Sequence, residues 1–121
     1  MAYTVIEGDD PTLETAGGGA LRKLRKALGV TAFGIHEIHL EAGQTGKEHD
    51  ETRSGQEEVY TARSGSGQLV VDGERVALAP GRYVRVPPGS TRTIEAGPEG
   101  IVMLVVGGVP GGVYEPAPWF S

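Results

Sequence analysis

The sequence predicts an all-β protein made of short antiparallel strands, with one short helix near the N-terminus. Glycine occupies 20 and proline 8 of the 121 positions, which together is about twice the usual share of roughly 12%. Both residue types disfavour helix interiors, and here they recur between short apolar runs along most of the chain. Hydrophobic residues make up 38% and charged residues 22% of the chain, a balance that excludes wholesale disorder.

Residues 1–31 are expected to form a strand, a flexible loop and the short helix. Three successive glycines at 17–19 mark the loop. The three leucines of the next segment repeat at helical spacing, and a glycine follows where a helix commonly ends. The sequence therefore predicts a helix over Ala20–Leu28. Its basic residues are interpreted as a solvated face, made of Arg22, Lys23, Arg25 and Lys26.

Beyond this segment the pattern changes to strand, turn, strand. A turn is expected at 64–67, and Asp72-Gly73 is a typical two-residue hairpin turn. Short strands at this spacing, without intervening helices, predict an antiparallel sandwich or barrel. We expect the barrel to span residues 32–106 and the tail, residues 107–121, to pack across it or onto a partner subunit. The predicted strands are 31–40, 57–63, 68–71, 75–78, 82–86, 91–95 and 101–106.

Charge and cysteine content narrow the function classes. The chain has 11 basic and 16 acidic residues and a formal net charge of −5, so a nucleic-acid partner is not expected. It has no cysteine, which excludes a disulfide framework and thiolate chemistry and is typical of a reducing cytosol. The longest apolar run, residues 101–106, is too short to span a bilayer. We therefore expect a cytoplasmic protein with no membrane partner.

The first of two glycine-bounded segments combines a histidine and a glutamate at fixed spacings. Gly43 is followed by five residues and then by His49, and Glu58 is followed by six residues and then by Gly65. The segment resembles the first motif of the cupin superfamily. Cupins are small jelly-roll barrels, so the resemblance implies that this chain folds as a double-stranded β-helix.

The second segment resembles the second cupin motif. Gly81 is followed by five residues and then by Pro87, and Gly89 is two residues further on. The resemblance, to small single-domain cupins of the cupin 2 type, covers residues 32–106. The motif glycines interrupt apolar runs where the backbone must reverse, so a positive φ is expected at Gly43, Gly65, Gly81 and Gly89.

The resemblance implies four inward-facing metal ligands, of which this sequence keeps only part. His49 and Glu58 stand at two of these positions, whereas Glu51 replaces the second histidine of the family and Arg92 replaces the last. A guanidinium cannot ligate a cation and repels one. We therefore expect either no cofactor or one divalent metal ion, held by His49, Glu51 and Glu58.

Two arrangements of this site stay open. In the first, Mn²⁺, Fe²⁺ or Zn²⁺ is bound, with a further ligand from His36 or His39. These two histidines point to opposite faces of a strand, and we favour His36 as the inward one. In the second, no metal binds, and the Arg92 guanidinium forms bidentate hydrogen bonds between Glu51 and Glu58.

Tyr60 lies two residues beyond Glu58 and is expected on the same strand face. We interpret it as a core aromatic residue with a satisfied hydroxyl rather than as a catalytic acid. It completes the candidate ligand-binding set of His36, His49, Glu51, Glu58, Tyr60 and Arg92.

Three functions are compatible with these features, and the first is favoured. It is a small-molecule-binding cupin with a degenerate metal site and weak or no catalysis, whose ligand is polar or anionic. The second is a metal-dependent cupin enzyme, a dioxygenase or isomerase acting on a small organic acid or sugar derivative. The third is a structural or interaction domain, since one fold can serve many functions. The resemblance also implies a homodimer.

Overall fold

The computed structural model describes residues 2–112 and 114–119 of the chain. Within these ranges, seven strands form one antiparallel sheet in the order β1-β2-β3-β7-β4-β5, with β6 paired to β4. The predicted all-β jelly-roll barrel with one short helix is confirmed. The elements are β1 (Thr15–Ala16), a 3₁₀ turn (Gly17–Gly19), β2 (Leu21–Lys23), α1 (Leu24–Leu28), β3 (Gly34–Leu40), β4 (Glu57–Val71), β5 (Glu74–Leu78), β6 (Tyr83–Val86) and β7 (Arg92–Gly108).

The two longest strands, β4 and β7, hold the barrel together. They pair with each other over almost their full length, and β7 also pairs with the whole of β3. The sequence predicted a turn at residues 64–67 and two separate strands in the β7 region, and this prediction is wrong. The strands continue because shifts in register bend them without ending the pairing. These shifts lie between Ala62 and Ser64 and between Gly65 and Gly67.

Gly65 stands at the bend of β4. Its φ is +71°, and a Cβ atom there would overlap the carbonyl oxygen of Gly100 on β7. Glycine is therefore required both by the backbone conformation and by the close approach of the two strands. The predicted positive φ is also confirmed at Gly43 and Gly81, and it is wrong at Gly89, where the two preceding prolines help to turn the chain.

The core lies on the inner faces of the barrel strands. Side chains alternate along β7, so Ile101, Met103 and Val105 point inward and are at most 3% exposed. Burial of a large apolar side chain contributes about 1.5–3 kcal/mol. The buried cluster consists of Leu40, Tyr60, Ala62, Leu69, Leu78, Val86, Ile94, Ile101, Met103 and Val105. Two buried charged residues, Glu58 and Arg92, adjoin this core.

The N-terminal segment differs from the prediction. The helix predicted over Ala20–Leu28 is wrong in its first part, because residues 21–23 form β2 and pair with β3. The backbone partners that β3 offers outweigh the helical spacing of the leucines. The remaining helix, α1, has five residues and ends at Gly29, whose φ is +76°. The predicted N-terminal strand is limited to Thr15–Ala16.

The C-terminal segment begins later than predicted, because β7 continues to Gly108. Beyond it, Tyr114 is 75% and Trp119 is 86% exposed, so packing of the tail onto a partner subunit stays a prediction. Val113, Phe120 and Ser121 belong to this predicted segment and lie outside the described residues. In the part of the chain that the structure describes, no helix is long and apolar enough to cross a membrane.

Candidate functional site

A cavity of about 1150 Å³ lies beside the core, between the N-terminal segment and the inner faces of the barrel strands. All six candidate residues line it. They come from four parts of the chain, which the barrel brings to one wall: His36 from β3, His49 and Glu51 from the loop after it, Glu58 and Tyr60 from β4, and Arg92 from the start of β7.

The loop that carries His49 and Glu51 is fixed by its backbone. The His49 N–H donates to the Arg92 carbonyl at 3.0 Å, and the Arg92 N–H donates to the His49 carbonyl at 2.8 Å. The Glu51 N–H donates to the Pro88 carbonyl at 2.9 Å. The loop therefore runs beside the start of β7, and residues two apart in such an extended stretch share a face.

His49, Glu51 and Glu58 form a compact polar cluster. Each offers one ligand atom, and these atoms all lie within 4.8 Å of one another. His49 Nδ1 is 3.1 Å from Glu51 Oε2, and the Ser54 hydroxyl donates to Glu51 Oε1 at 2.8 Å. The orientation of Glu51 is thus determined by its loop neighbours.

Glu58 is held from within the barrel by Tyr60. The Tyr60 hydroxyl donates to Glu58 Oε1 at 2.8 Å, and the tyrosine is 1% exposed. Burial raises the pKa of Tyr60 far above its ordinary value, and the neighbouring Glu58 carboxylate raises it further. Tyr60 therefore stays protonated and acts as a hydrogen-bond donor that fixes Glu58.

Arg92 is oriented differently from the bidentate arrangement considered from the sequence. Its guanidinium donates to the carbonyls of Ser90 (2.9 Å) and Pro87 (3.3 Å). Its Nη2 lies 3.6 Å from Glu58 Oε1, which is an ion pair without a hydrogen bond. The bidentate link between Glu51 and Glu58, one of the two arrangements considered, is therefore wrong. Nη1 and Nη2 donate to carbonyls of the turn before β7, and Nε has no hydrogen-bond partner among the described residues.

The two histidines of β3 lie on opposite faces. His36 lines the cavity; burial lowers its pKa, although the charges of Glu58 and Glu51 oppose this effect. His39 lies on the outer face, where its Nε2 is 2.9 Å from Glu37 Oε1. Of these two histidines, His36 is therefore the one available to the cavity.

The donor set fits a divalent cation. One imidazole and two carboxylates suit Mn²⁺, Fe²⁺ or Zn²⁺, and two negative charges offset the charge of the ion. The buried guanidinium of Arg92 next to Glu58 opposes cation binding by like-charge repulsion. The residues present could therefore hold a metal ion, more weakly than an uncharged neighbour at position 92 would allow.

Sequence reasoning missed four basic residues at the cavity: Lys23, Arg25, Lys26 and Lys47. Lys23 was predicted on a helix, and this is wrong: it lies on β2 directly opposite His36 of β3, with its side chain 42% exposed. Residues 21–23 are Leu-Arg-Lys and show no alternation of apolar and polar residues, so the sequence offered no local signal for this strand.

The chain belongs to the cupin family. Residues 36–107, more than half of the chain, match the model of the family described as Cupin domain. No curated protein matches the chain.

Solved structures share the fold. A cupin protein from Bacteroides fragilis superposes with a TM-score of 0.78 at 24% identity, over 97% of this chain and 92% of that one. A Cupin 2 conserved barrel domain protein from Salinispora arenicola gives 0.71 at 25% identity, over 91% and 92%. A candidate sugar phosphate isomerase from Acidithiobacillus ferrooxidans gives 0.60 at 30% identity, over 72% of this chain and 56% of that one.

Proposed function

We propose that this cupin binds a small polar or anionic molecule in its cavity and has weak or no catalytic activity. The observation that carries the proposal is the cavity of about 1150 Å³ that reaches the His49 cluster, since small-molecule sites are typically concave with a few convergent polar groups. A purely structural or interaction domain has no need of such a cavity, so that third function lacks support.

The side chains of the wall have distinct roles in this proposal. His36 and His49 offer ring nitrogens that can donate or accept hydrogen bonds. Tyr60 and Arg92 hold Glu58, and Arg92 compensates the charge of that carboxylate. Because an uncompensated buried carboxylate is costly, this internal cation lets the wall exist without a metal ion.

A binding screen with a blocked cavity tests the proposal. Small polar carboxylates, phosphates and sugars are screened by ligand-observed NMR against the wild-type protein and against His36→Trp, which places a bulkier side chain in the cavity wall. Val59→Trp, on the exposed face of β4, is the matched control. We expect ligands that bind the wild type and Val59→Trp but not His36→Trp. Binding that survives His36→Trp, or no binding at all, contradicts the proposal.

A second function, a metal-dependent enzyme, is favoured by the ligand atoms of His49, Glu51 and Glu58 lying within 4.8 Å of one another. A divalent metal bound there would polarise an oxygen atom of the substrate. The candidate sugar phosphate isomerase that shares the fold is compatible with a sugar derivative as substrate. Metal analysis of the desalted protein decides between the two functions: stoichiometric metal that is lost in His49→Ala supports the enzyme, and metal-free protein supports the binding protein.

A homodimer and a cytoplasmic location are also part of this proposal, and both stay predictions. Sedimentation at micromolar concentration tests the dimer, since a monomeric mass there contradicts it.

A further inference from the structure

Basic side chains are concentrated at the cavity of an otherwise acidic protein. The chain as a whole has a net charge of −5, yet five cationic side chains line the cavity against three carboxylates, those of Glu14, Glu51 and Glu58. The cavity therefore has a local positive surplus, which attracts anions. The cationic side chains are Lys23, Arg25, Lys26, Lys47 and Arg92.

Most of these cations are available to a ligand. Lys23 Nζ is 3.3 Å from Glu14 Oε1, with both side chains about half exposed, and such pairs contribute little. Arg25 donates to the neutral Val30 carbonyl at 3.2 Å. Within residues 2–112 and 114–119, Lys26 and Lys47 have no carboxylate at ion-pair distance. Arg92 is the exception, since it is 1% exposed and pairs with Glu58.

The available cations lie next to the two histidines of the cavity. Lys23 is directly opposite His36 in the antiparallel pair of β2 and β3, and directly opposite side chains have Cβ atoms about 4.5–5.5 Å apart. Lys47 precedes His49 by two residues along the loop that pairs with Arg92. A molecule that contacts either histidine therefore has a lysine beside it.

The segment that supplies three of these cations, residues 21–28, lies before the match to the cupin model. The cupin match begins at residue 36, whereas β2 and α1 end before it. The barrel thus supplies the polar cluster and Lys47, and the N-terminal segment supplies Lys23, Arg25 and Lys26.

We propose that the ligand has an anionic end group, a phosphate or a carboxylate, bound by Lys23, Lys26 and Lys47, while its polar body reaches His36 and His49. This inference rests on the proposed function and names the class of ligand. The end group is bound by these lysines rather than by Arg92, whose guanidinium pairs with Glu58 and donates to two carbonyls.

Sugars that differ only in one end group test the inference. Glucose 6-phosphate, glucuronate and glucose, together with glycerol 3-phosphate, glycerate and glycerol, are titrated into the full chain and followed by NMR. We expect the charged members to bind at least about tenfold more tightly than the neutral ones, since charge-assisted hydrogen bonds are strong. If the phosphates bind more tightly than the carboxylates, the ligand is a phosphorylated molecule. If the carboxylates bind more tightly, it is a carboxylic acid.

Charge variants locate the end group. The double variant Lys26→Gln/Lys47→Gln should weaken binding of the charged members about tenfold or more and leave the neutral ones unchanged. Arg82→Gln is the control, because it removes one charge on an exposed turn that does not line the cavity.

Three results overturn the inference. The first is equal affinity for the charged and the neutral members. The second is an equal loss of affinity for the charged members in Arg82→Gln and in the double variant. The third is that neither series binds. The cavity screen with His36→Trp remains independent of them: if ligands found there are insensitive to the lysine changes, the inference fails and the proposed function stands. If the screen itself finds no ligand, both fail.

Discussion

The main chains of His49 and Arg92 exchange two hydrogen bonds, at 3.0 and 2.8 Å. His49, predicted from the motif resemblance to be a metal ligand, is thereby fixed beside Arg92. The Arg92 side chain then turns toward Glu58 and the carbonyls of the preceding turn. An internal cation thus lies at the position where the motif resemblance predicts a fourth ligand.

Replacing Arg92 by histidine should restore metal binding. The change removes a like charge next to Glu58 and adds an imidazole, so we expect affinity for Mn²⁺ or Zn²⁺ to rise by about tenfold or more. Calorimetric titration of Arg92→His and wild type measures the difference. Arg92→Lys, which keeps the positive charge, should show no gain. Equal affinities in wild type and Arg92→His would contradict the role given to the guanidinium.

Removing the Tyr60 hydroxyl should destabilise the protein. Tyr60→Phe leaves Glu58 Oε1 without the donor at 2.8 Å, and loss of a buried hydrogen bond to a charged group costs about 1.5–3 kcal/mol. Urea unfolding followed by circular dichroism measures the change in free energy. The matched control is Tyr83→Phe, since Tyr83 is 72% exposed and its change should stay within about 0.5 kcal/mol. Equal effects of the two variants would show that the Glu58 contact is not stabilising.

Adding a methyl group at Gly65 should be far more damaging than at Gly89. At Gly65 the Cβ atom would overlap the Gly100 carbonyl oxygen and φ is +71°, whereas at Gly89 nothing lies within 4 Å. We expect Gly65→Ala to cost about 3 kcal/mol or more, through steric overlap and backbone strain. Gly89→Ala should be near neutral. Soluble yield and the urea midpoint report the result, and similar midpoints would refute the close approach of β4 and β7.

Protonation of Glu37 should lower the free energy of unfolding at acid pH. This residue is 6% exposed on the outer face of β3, and Arg63 Nε donates to its Oε2 at 2.7 Å. Burial alone raises the pKa of Glu37, but hydrogen bonds with His39 and Arg63 outweigh it and hold the pKa below the ordinary 4.5. A carboxyl whose folded pKa is lowered contributes stability above its unfolded pKa and loses it as pH falls through the folded pKa.

Urea unfolding at about pH 7 and about pH 3.5 tests this dependence in the wild type and in Glu37→Gln. At the higher pH we expect the variant to be less stable by about 1 kcal/mol, since Arg63 is largely exposed. The difference in the free energy of unfolding between the wild type and Glu37→Gln should become smaller at the lower pH. Glu57→Gln, which removes an exposed ion pair with Arg85, is the control. A gap that is constant with pH would contradict the lowered pKa.

The sequence was sufficient for the barrel and for six polar residues that line its cavity, and insufficient for their contacts and for the four basic residues that also line it. Gly65 could be predicted because positive φ is a local property that glycine makes cheap. The direction of Arg92 could not, because it depends on carbonyls of Pro87 and Ser90 whose orientation is set by the folded turn. Lys23 was misplaced for a similar reason, since its strand exists only through pairing with the distant β3.

Because β7 lies between β3 and β4 in the sheet, the cavity forms only late in folding. His36 pairs with Val105 and Glu58 pairs with Gly107, so the two cavity residues meet only after the C-terminal strand has closed both pairings. Closing such long loops costs conformational entropy and slows folding. A ligand that contacts both residues stabilises only the closed barrel. Such a ligand should therefore slow global unfolding, so the unfolding rate in its presence reports whether it binds both residues.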